Sequence, residues 1–331
     1  MTGKGWADPQ LSVDGATFGA VVRAYETALD KDGKPLNMDS IIISQRERVY
    51  EHYFASARKL NNVRSITKMV LTISLGIAID RGLTLRGTKL TLDTPIWPLF
   101  EGRVTPTNPR NIPKLEKIKL RHLLDNTMGY SQGLMFTKDV KGRDSDELLD
   151  YAWNVDLDFE PGTHFVYSGV GTFLLSVLIQ EELGVDLSTW VRDLLFEPLS
   201  ITEFGWEMWG RICPGSTGLR LANHDLHKIG RLVLDDGIYD NRRVVPESWL
   251  EQMRTPQVLT PATFDAGRVF PKYAYGLGLW ICRDSTYYCD GTGGQYLIVL
   301  PPSGIVITTL GHESDMRPVT ECLRPMLGTN S

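Results

Sequence analysis

The sequence predicts an α/β protein of the α+β type, in which an antiparallel sheet flanked by helices is joined to a mostly helical subdomain. Two observations predict this fold class. Strand-like runs rich in branched and aromatic residues occur near both ends of the chain, and the segment between them has mainly helical periodicity. We expect residues 1–85 and 216–331 to form the sheet domain and residues 86–215 to form the helical subdomain. A cleft between two such units is a common place for a small-molecule site.

The individual elements follow from the spacing of the apolar residues and from the turn-forming residues between them. Two β-rich runs flank the polar residues 45–48, a pattern typical of an antiparallel hairpin. Prolines recur between residues 91 and 113 and exclude a continuous helix or a central strand there. The predicted helices cover residues 15–29, 65–81, 120–124, 145–153, 173–182, 187–195, 225–234, 246–253 and 317–326. The predicted strands cover residues 40–44, 49–54, 277–282, 295–300 and 305–310.

Composition and charge limit the classes of partner. The 331-residue chain carries 35 Lys and Arg against 40 Asp and Glu, a formal net charge of −5, with no long basic run. This charge argues against nucleic acid or an anionic membrane surface as the main partner. The N-terminal residues lack the apolar segment of a secretory signal, and the most apolar run, residues 69–79, is too short to cross a bilayer. We therefore expect a cytoplasmic protein with no membrane partner, and its oligomeric state stays open.

The cysteines and histidines form no recognisable metal-binding pattern. The four cysteines include no C-x-x-C pair, the six histidines are scattered, and no H-E-x-x-H occurs. We expect neither a metal nor another cofactor. Buried free thiols are the default interpretation of the cysteines. Cys282 and Cys289 would lie opposite each other if residues 284–286 formed a hairpin turn, so a cross-strand disulfide is the alternative.

A Ser-x-x-Lys pattern at the start of an apolar helix is the most informative segment of the chain. Three residues apart on a helix, Ser65 and Lys68 lie on one face, so the amine can receive the hydroxyl proton. The helix N-terminus also leaves the N–H of Ser65 free to bind a developing oxyanion. Residues 69–79 carry no charge, so burial would lower the pKa of Lys68. The alternative is a serine cap followed by an exposed lysine.

A tyrosine suited to proton transfer follows later in the chain. Tyr167 comes after a Pro-Gly turn and before a predicted helix, which places it on a loop at the mouth of the helical subdomain. A lysine ammonium beside a phenol favours the phenolate, which can act as a base or a proton shuttle. A tyrosine packed in the core is the alternative.

A glycine-rich segment, residues 289–295, leads into a predicted strand. Its glycines let a substrate or another backbone approach closely, as an edge strand must allow if its N–H groups are to bind an acyl oxygen. Phosphate-binding loops have a similar composition. Here, however, no Lys-Ser/Thr pair and no predicted helix follow the glycines, which argues against a phosphate site.

In this order the three segments resemble the serine β-lactamase and penicillin-binding-protein superfamily, whose signature is S-x-x-K, then Y-x-N or S-x-N, then K-T-G. The tyrosine form is similar to the class C branch, which also contains D-amino-acid peptidases, carboxylesterases and aminohexanoate-oligomer hydrolases. The similarity extends over almost the whole chain. Further segments that look like this branch are residues 120–129, 159–162, 218–221, 225–226 and 245–249.

The resemblance implies a β-lactamase/transpeptidase-like fold and assigns roles to the matching residues. Ser65 would be the acylated nucleophile, Lys68 the partner that lowers its proton affinity, and Tyr167 the general base that later protonates the leaving group. The oxyanion hole would consist of the N–H groups of Ser65 and Thr292. Further candidate substrate-binding positions are Gly169, Cys289, Asp290 and Gly291.

Two positions depart from the family pattern and bear on the substrate. Gly169 stands where Asn usually contacts the substrate amide, so that hydrogen bond is absent or comes from elsewhere. Cys289 and Asp290 stand where Lys-Thr usually bind a carboxylate, and the charge of Asp290 would repel one. We therefore expect weak or no β-lactamase activity and a neutral or cationic ester or amide as substrate.

The resulting expectation is a cofactor-independent serine hydrolase that cleaves a small ester or amide through an acyl-enzyme. One alternative is a catalytically silent protein of the same fold that acts as a binding module. Another is a sensor that is acylated but does not turn over, and a true β-lactamase is the less favoured possibility. The presence of Ser65, Lys68 and Tyr167 together argues against the silent form.

Overall fold

Eight antiparallel strands form the central sheet of the computed structural model, which describes residues 5–56, 59–264 and 267–328. Strands from both ends of the chain meet in this sheet, as the sequence predicts. The branched residues of its central strands are buried on both faces, because helices cover both sides of the sheet. In the order in which they pair, the strands are Val258–Leu259, Ala274–Tyr275, Trp280–Ile281, Tyr287–Gly291, Gln295–Leu300, Ile305–Gly311, Met38–Gln45 and Arg48–Tyr53.

The two faces of the sheet pack on different helices. On one face, His227 of the helix Asn223–Leu234 makes hydrogen bonds to Ser44 Oγ at 2.8 Å and to Thr308 Oγ1 at 3.0 Å. On the other face, Tyr25 of the helix Gly15–Thr27 packs with strand residues, and its hydroxyl donates to the carbonyl of Val319 at 2.7 Å. Both faces are therefore tied to their helices by polar as well as apolar contacts.

Most of the regular secondary structure between Arg48–Tyr53 and Val258–Leu259 is helical. The α-helices are Gly15–Thr27, Thr67–Asp80, Ile112–Leu115, Leu120–Leu124, Thr137–Val140, Ser145–Asn154, Val170–Leu183, Leu187–Val191, Asn223–Leu234, Glu247–Arg254 and Arg317–Glu321. Shorter helical turns are Arg64–Ile66, Trp97–Leu99, Arg192–Phe196, Ala262–Phe264, Pro301–Ser303 and Arg324–Leu327. Within the three described ranges, no helix has the length and apolar character needed to cross a membrane. The cytoplasmic location and the exclusion of nucleic acid stay predictions.

The helix Thr67–Asp80 is buried on all sides, as its uncharged sequence predicts. Trp249 of the helix Glu247–Arg254 fixes it in place, because its indole N–H donates to the carbonyl of Thr72 at 3.0 Å. Gly76 makes room for the indole, since a Cβ at this position would lie 2.1 Å from Trp249 Cδ1. The start of this helix, where Ser65 and Lys68 lie, is therefore held firmly in place.

Two sequence predictions need correction. Residues 277–282 do not form one strand, because a turn brings the N–H of Gly276 to the carbonyl of Leu279 at 2.9 Å and only Trp280–Ile281 pairs as a strand. Gly278 takes a positive φ of 79° in this turn. The predicted helix over residues 317–326 is divided into Arg317–Glu321 and a 3-10 turn, each with a proline at its start.

The predicted domain boundaries are compatible with this sheet, whose strands all lie within residues 38–53 and 258–311. A small three-stranded sheet joins the two parts of the chain: Asn61–Asn62 pairs with Leu219–Leu221, which pairs with Gly205–Trp206. The division at residues 85 and 216 stays a prediction.

The cross-strand disulfide considered for Cys282 and Cys289 is absent from the described part of the chain. The N–H of Cys282 donates to the carbonyl of Thr286 at 2.8 Å, so Cys282 stands opposite Thr286 in the hairpin. Cys282 and Cys289 also pack into different hydrophobic clusters. The strand register therefore excludes the pairing.

Gly171 tests the packing of the helical region. A Cβ at this position would lie 2.1 Å from the carbonyl oxygen of Leu123. This is a backbone atom, so it cannot move aside as the end of a flexible side chain can. We expect Gly171→Ala to lower the free energy of unfolding by about 1–3 kcal/mol, as measured by chemical denaturation.

Gly19→Ala is the matched control, because a Cβ there meets only the end of Arg23 at 3.4 Å. It should leave the stability unchanged or raise it by up to about 1 kcal/mol. Equal effects of the two substitutions would contradict the close helix contact.

Candidate active site

Ser65 and Lys68 lie in contact at the start of the buried helix. Ser65 belongs to the 3-10 turn Arg64–Ile66, which continues into the helix Thr67–Asp80. The Nζ atom of Lys68 donates to Ser65 Oγ at 3.1 Å and to the backbone carbonyl of Ser216 at 2.9 Å. Lys68 is only 4% exposed, so the alternative of an exposed lysine is wrong.

The surroundings of Lys68 favour its neutral form. Burial lowers the pKa of Lys68 to about 8, although the negative charge of Asp290 and the thiol of Cys289 act in the opposite direction. A substantial fraction of this amine is therefore unprotonated just above neutral pH. Such an amine, at hydrogen-bond distance from a hydroxyl, can accept its proton.

Tyr167 lies beside this pair. Asn126 positions the loop that carries it, because its backbone carbonyl accepts from the N–H of Val166 and its side-chain oxygen accepts from the N–H of Ser168, both at 3.0 Å. The Tyr167 hydroxyl makes a hydrogen bond with Ser65, and its ring centroid lies 5.2 Å from Lys68 Nζ. The structure thus brings the three residues of the sequence prediction together.

The ionisation expected for Tyr167 needs correction. Burial raises the pKa of its phenol, and the negative charge of Asp290 raises it further, while the hydrogen bond with Ser65 acts against both. The expectation that the nearby ammonium of Lys68 favours a phenolate is therefore wrong. Tyr167 is held as a neutral phenol, which can donate a proton.

The glycine-rich segment approaches the turn that contains Ser65. Gly291 ends the strand Tyr287–Gly291, and a Cβ on it would lie 2.5 Å from the carbonyl oxygen of Val63 and 2.7 Å from Arg64 Cβ. Only glycine permits this approach, which brings the backbone of Thr292 next to the turn. A strand, Gln295–Leu300, follows the glycines, so the segment lacks the helix N-terminus of a phosphate-binding loop.

The position of Gly169 leaves little room for the asparagine of the family pattern. A Cβ at Gly169 would lie 3.0 Å from Met135 Cβ and 3.3 Å from Ser216 Cβ, so these neighbours would have to move by a few tenths of an ångström. Met135 and Ser216 pack where the side-chain amide of the family pattern would begin.

Cys289 lies in the same strand as Asp290 but is not a reactive thiol. Burial raises its pKa well above the usual range, and its Sγ donates to the carbonyl of Gly278 at 3.3 Å.

Asp290 is not the isolated negative charge that the sequence suggests. Its Oδ2 atom lies 2.8 Å from Nζ of Lys272, and its Oδ1 atom accepts from the indole N–H of Trp280 at 2.8 Å. Lys272 offsets part of this charge, and the expected preference for a neutral or cationic ester or amide stays a prediction. Sequence reasoning missed Lys272, which lies in an irregular segment 18 residues before Asp290 and belongs to no motif.

The α+β fold and the contact of Ser65 with Lys68 and Tyr167 define a candidate serine enzyme of the acyl-transferring class. The chain belongs to the beta-lactamase family, whose model matches residues 22–321. The family resemblance inferred from the sequence motifs is therefore confirmed.

Curated relatives include both transferases and hydrolases. Monacolin J acid methylbutanoyltransferase of Aspergillus terreus is 29% identical over 192 residues, which cover 53% of this chain and 44% of that protein. 6-Aminohexanoate-dimer hydrolase of Paenarthrobacter ureafaciens is 26% identical over 190 residues, which cover 52% of this chain and 46% of that protein. The matches thus span about half the length of these relatives.

Solved structures with the same fold include EstCE1, described as a hydrolase with promiscuous acyltransferase activity. Its TM-score is 0.76 at 15% identity, with 95% of this chain and 99% of that chain covered. A D-stereospecific amidohydrolase from Streptomyces has a TM-score of 0.70 at 17% identity, with 95% and 99% covered. At these identities the likeness shows the β-lactamase-type fold and leaves the substrate open.

The close approach of Gly291 provides a test of the site geometry. Gly291→Ala should push the strand end away from Ser65, because the new Cβ meets the backbone of Val63. We expect the rate at which a fluorophosphonate labels Ser65 to fall by about tenfold or more, since a displaced oxyanion donor costs this much or more.

Thr292→Ala is the control, because the proposed oxyanion donor is the backbone N–H of this exposed residue and the substitution changes only its side chain. It should label at a rate within about threefold of the unsubstituted protein. Normal labelling of Gly291→Ala would show that the strand end does not position an oxyanion donor.

Proposed function

We propose that the protein is a serine hydrolase that cleaves a small ester or amide through an acyl-enzyme. The observation that carries the proposal is the 3.1 Å contact between Ser65 Oγ and the buried amine of Lys68, whose pKa is lowered to about 8. Membership of a family with hydrolase and acyltransferase relatives supports the same chemistry.

In the acylation step, neutral Lys68 accepts the hydroxyl proton of Ser65 while Ser65 Oγ bonds to the acyl carbon of the substrate. The N–H groups of Ser65 and Thr292 stabilise the negative charge that develops on the acyl oxygen. The bond from the acyl carbon to the leaving group then breaks. The leaving group takes a proton from the neutral phenol of Tyr167, which regains one from the Lys68 ammonium.

In the deacylation step, water attacks the acyl carbon and loses a proton to the neutral amine of Lys68. The bond between the acyl carbon and Ser65 Oγ breaks, the acid leaves, and Ser65 regains its proton from the Lys68 ammonium. This cycle returns every group to its starting protonation state and consumes one water per substrate molecule.

Acyl transfer to a hydroxyl compound is a second candidate function. It is supported by the match to a methylbutanoyltransferase and by the fold shared with EstCE1. In that reaction an alcohol takes the place of water in the deacylation step, and the roles of Ser65, Lys68 and Tyr167 are otherwise the same.

The first test is intact mass and turnover with a small panel of acyl compounds. The panel contains p-nitrophenyl acetate and butyrate, D-alanyl amides, nitrocefin and benzylpenicillin, each with a Ser65→Ala control. We expect ester or amide turnover that depends on Ser65. Addition of glycerol should then reveal any transfer product.

The outcomes separate the proposal from its alternatives. A stable adduct without turnover would indicate an acylation-only sensor, and efficient nitrocefin hydrolysis would indicate a true β-lactamase. If no compound gave an adduct or turnover, the catalytically silent form would replace the proposal.

The pH dependence of turnover tests the role of Lys68. Below its pKa of about 8 the amine is protonated and cannot accept the Ser65 proton. We expect kcat/KM for p-nitrophenyl acetate to rise about tenfold per pH unit up to roughly pH 7.5 and to level off above pH 9.

Lys68→Arg should abolish this turnover at every pH, because a guanidinium keeps its proton. A flat profile between pH 6 and 10, or an active Lys68→Arg variant, would exclude Lys68 as the proton acceptor.

A further inference from the structure

A buried ion pair lies behind the candidate active site. Lys272 and Asp290 have side chains that are only 7% and 14% exposed, and Lys272 Nζ lies 2.8 Å from Asp290 Oδ2. A buried charge is costly unless a partner compensates it. Each of these residues therefore depends on the other, although they lie on different segments of the chain.

Trp280 joins this pair and closes a triangle of contacts. Its indole N–H donates to Asp290 Oδ1 at 2.8 Å, and Lys272 Nζ lies 3.8 Å from its ring centroid, at cation–π distance. Each of the three side chains thus contacts the other two. We call this arrangement the Lys272 triangle.

The Lys272 triangle supports Tyr167 directly. The ring of Tyr167 stacks on that of Trp280, with centroids 5.0 Å apart and planes 28° apart. Tyr275 contacts both rings, at 4.7 Å from Trp280 and 5.9 Å from Tyr167. The indole is therefore part of the wall that sets where the Tyr167 hydroxyl meets Ser65.

The charge of Asp290 also reaches the reacting groups. It raises the pKa of both Lys68 and Tyr167, and it is the largest charge effect on either of them. Facing Lys68 are Cys289, Asp290, Tyr167 and Ser65, while Lys272 lies behind Asp290 with Arg268 nearby. Without the cation of Lys272, the full charge of Asp290 would act on Lys68.

We propose that Lys272 is a positioning residue of the active site: its ammonium compensates Asp290 and holds Trp280 against Tyr167. The proposal rests on the serine hydrolase function proposed above. Lys272 supplies a positive charge beside the strand in which Cys289 and Asp290 replace the family's Lys-Thr, and it reaches that place from a different segment. It is thus a compensating partner for the altered third motif.

The test compares substitutions with opposite effects on charge. Lys272→Met removes the ammonium but keeps an unbranched side chain, and Asp290→Asn removes the carboxylate but keeps an acceptor for the indole N–H. Lys272→Arg restores a cation, and the double substitution removes both charges. Lys117→Met is the matched control, because Lys117 is 57% exposed and pairs with Glu160 on the surface.

For Lys272→Met we expect kcat for p-nitrophenyl acetate to fall by about tenfold or more with KM within about threefold, because Tyr167 is misplaced. The midpoint of its pH profile should move upward, because an uncompensated carboxylate favours the Lys68 ammonium. Asp290→Asn should move the midpoint downward, and the double substitution should return it toward that of the unsubstituted protein. Lys272→Arg should recover most of kcat, and Lys117→Met should change neither quantity.

Circular dichroism and melting temperature show which variants fold. If Lys272→Met does not fold, two other results still test the proposal. These are the downward shift of the pH-profile midpoint in Asp290→Asn and the return of that midpoint in the double substitution. Unchanged midpoints in all folded variants, or a loss of kcat that Lys272→Arg does not recover, would reduce Lys272 to a structural role and overturn the proposal.

Failure of the proposed function would look different. In that case the unsubstituted protein would show no turnover dependent on Ser65, which would overturn both proposals. A different outcome would overturn only the role of Lys272. In that case the unsubstituted protein would turn over substrate normally, and the Lys272 and Asp290 variants would have the same kcat and the same midpoint of the pH profile.

Discussion

The burial of one lysine ammonium is the constraint on which the arrangement of the site depends. Lys68 lies at the first turn of a helix that is buried on all sides, and the carbonyl of Ser216 and the hydroxyl of Ser65 compensate its lost hydration only in part. The incomplete compensation lowers its proton affinity. A chemically ordinary serine acquires a base in this way.

The sequence predicts the parts of the site that depend on local spacing. Ser65 and Lys68 are three residues apart on a helix, and the uncharged run after them predicts the burial of Lys68. Contacts between distant segments leave no such pattern: Lys272 reaches Asp290 from an irregular segment, and the φ of Gly278 turns a strand-like run into a turn. The direction in which the pKa of Tyr167 shifts also depends on burial and on the nearby charge of Asp290, and both follow only from the folded structure.

The strand that carries Cys289 and Asp290 shows how a changed charge can be compensated from another segment of the chain. Where the family pattern has Lys-Thr, this chain has Cys289 and Asp290, and the cation comes from Lys272 instead. The N–H groups of Ser65 and Thr292, which we propose as oxyanion donors, belong to the backbone and do not depend on these side chains. Beside this strand, the buried rings of Trp280 and Tyr275 pack against Tyr167, where the family pattern has a carboxylate-binding lysine and threonine.

The order of strands in the sheet has a consequence for how the protein is made. Met38–Gln45 lies between Arg48–Tyr53 and Ile305–Gly311, and its residues pair with partners 260 or more positions later in the chain. During synthesis, the hairpin can form early, but the inner edge of its first strand waits until residues 305–311 have left the ribosome. Through that interval, a row of isoleucines with unpaired backbone groups is a natural substrate for chaperones and a point where self-association can begin.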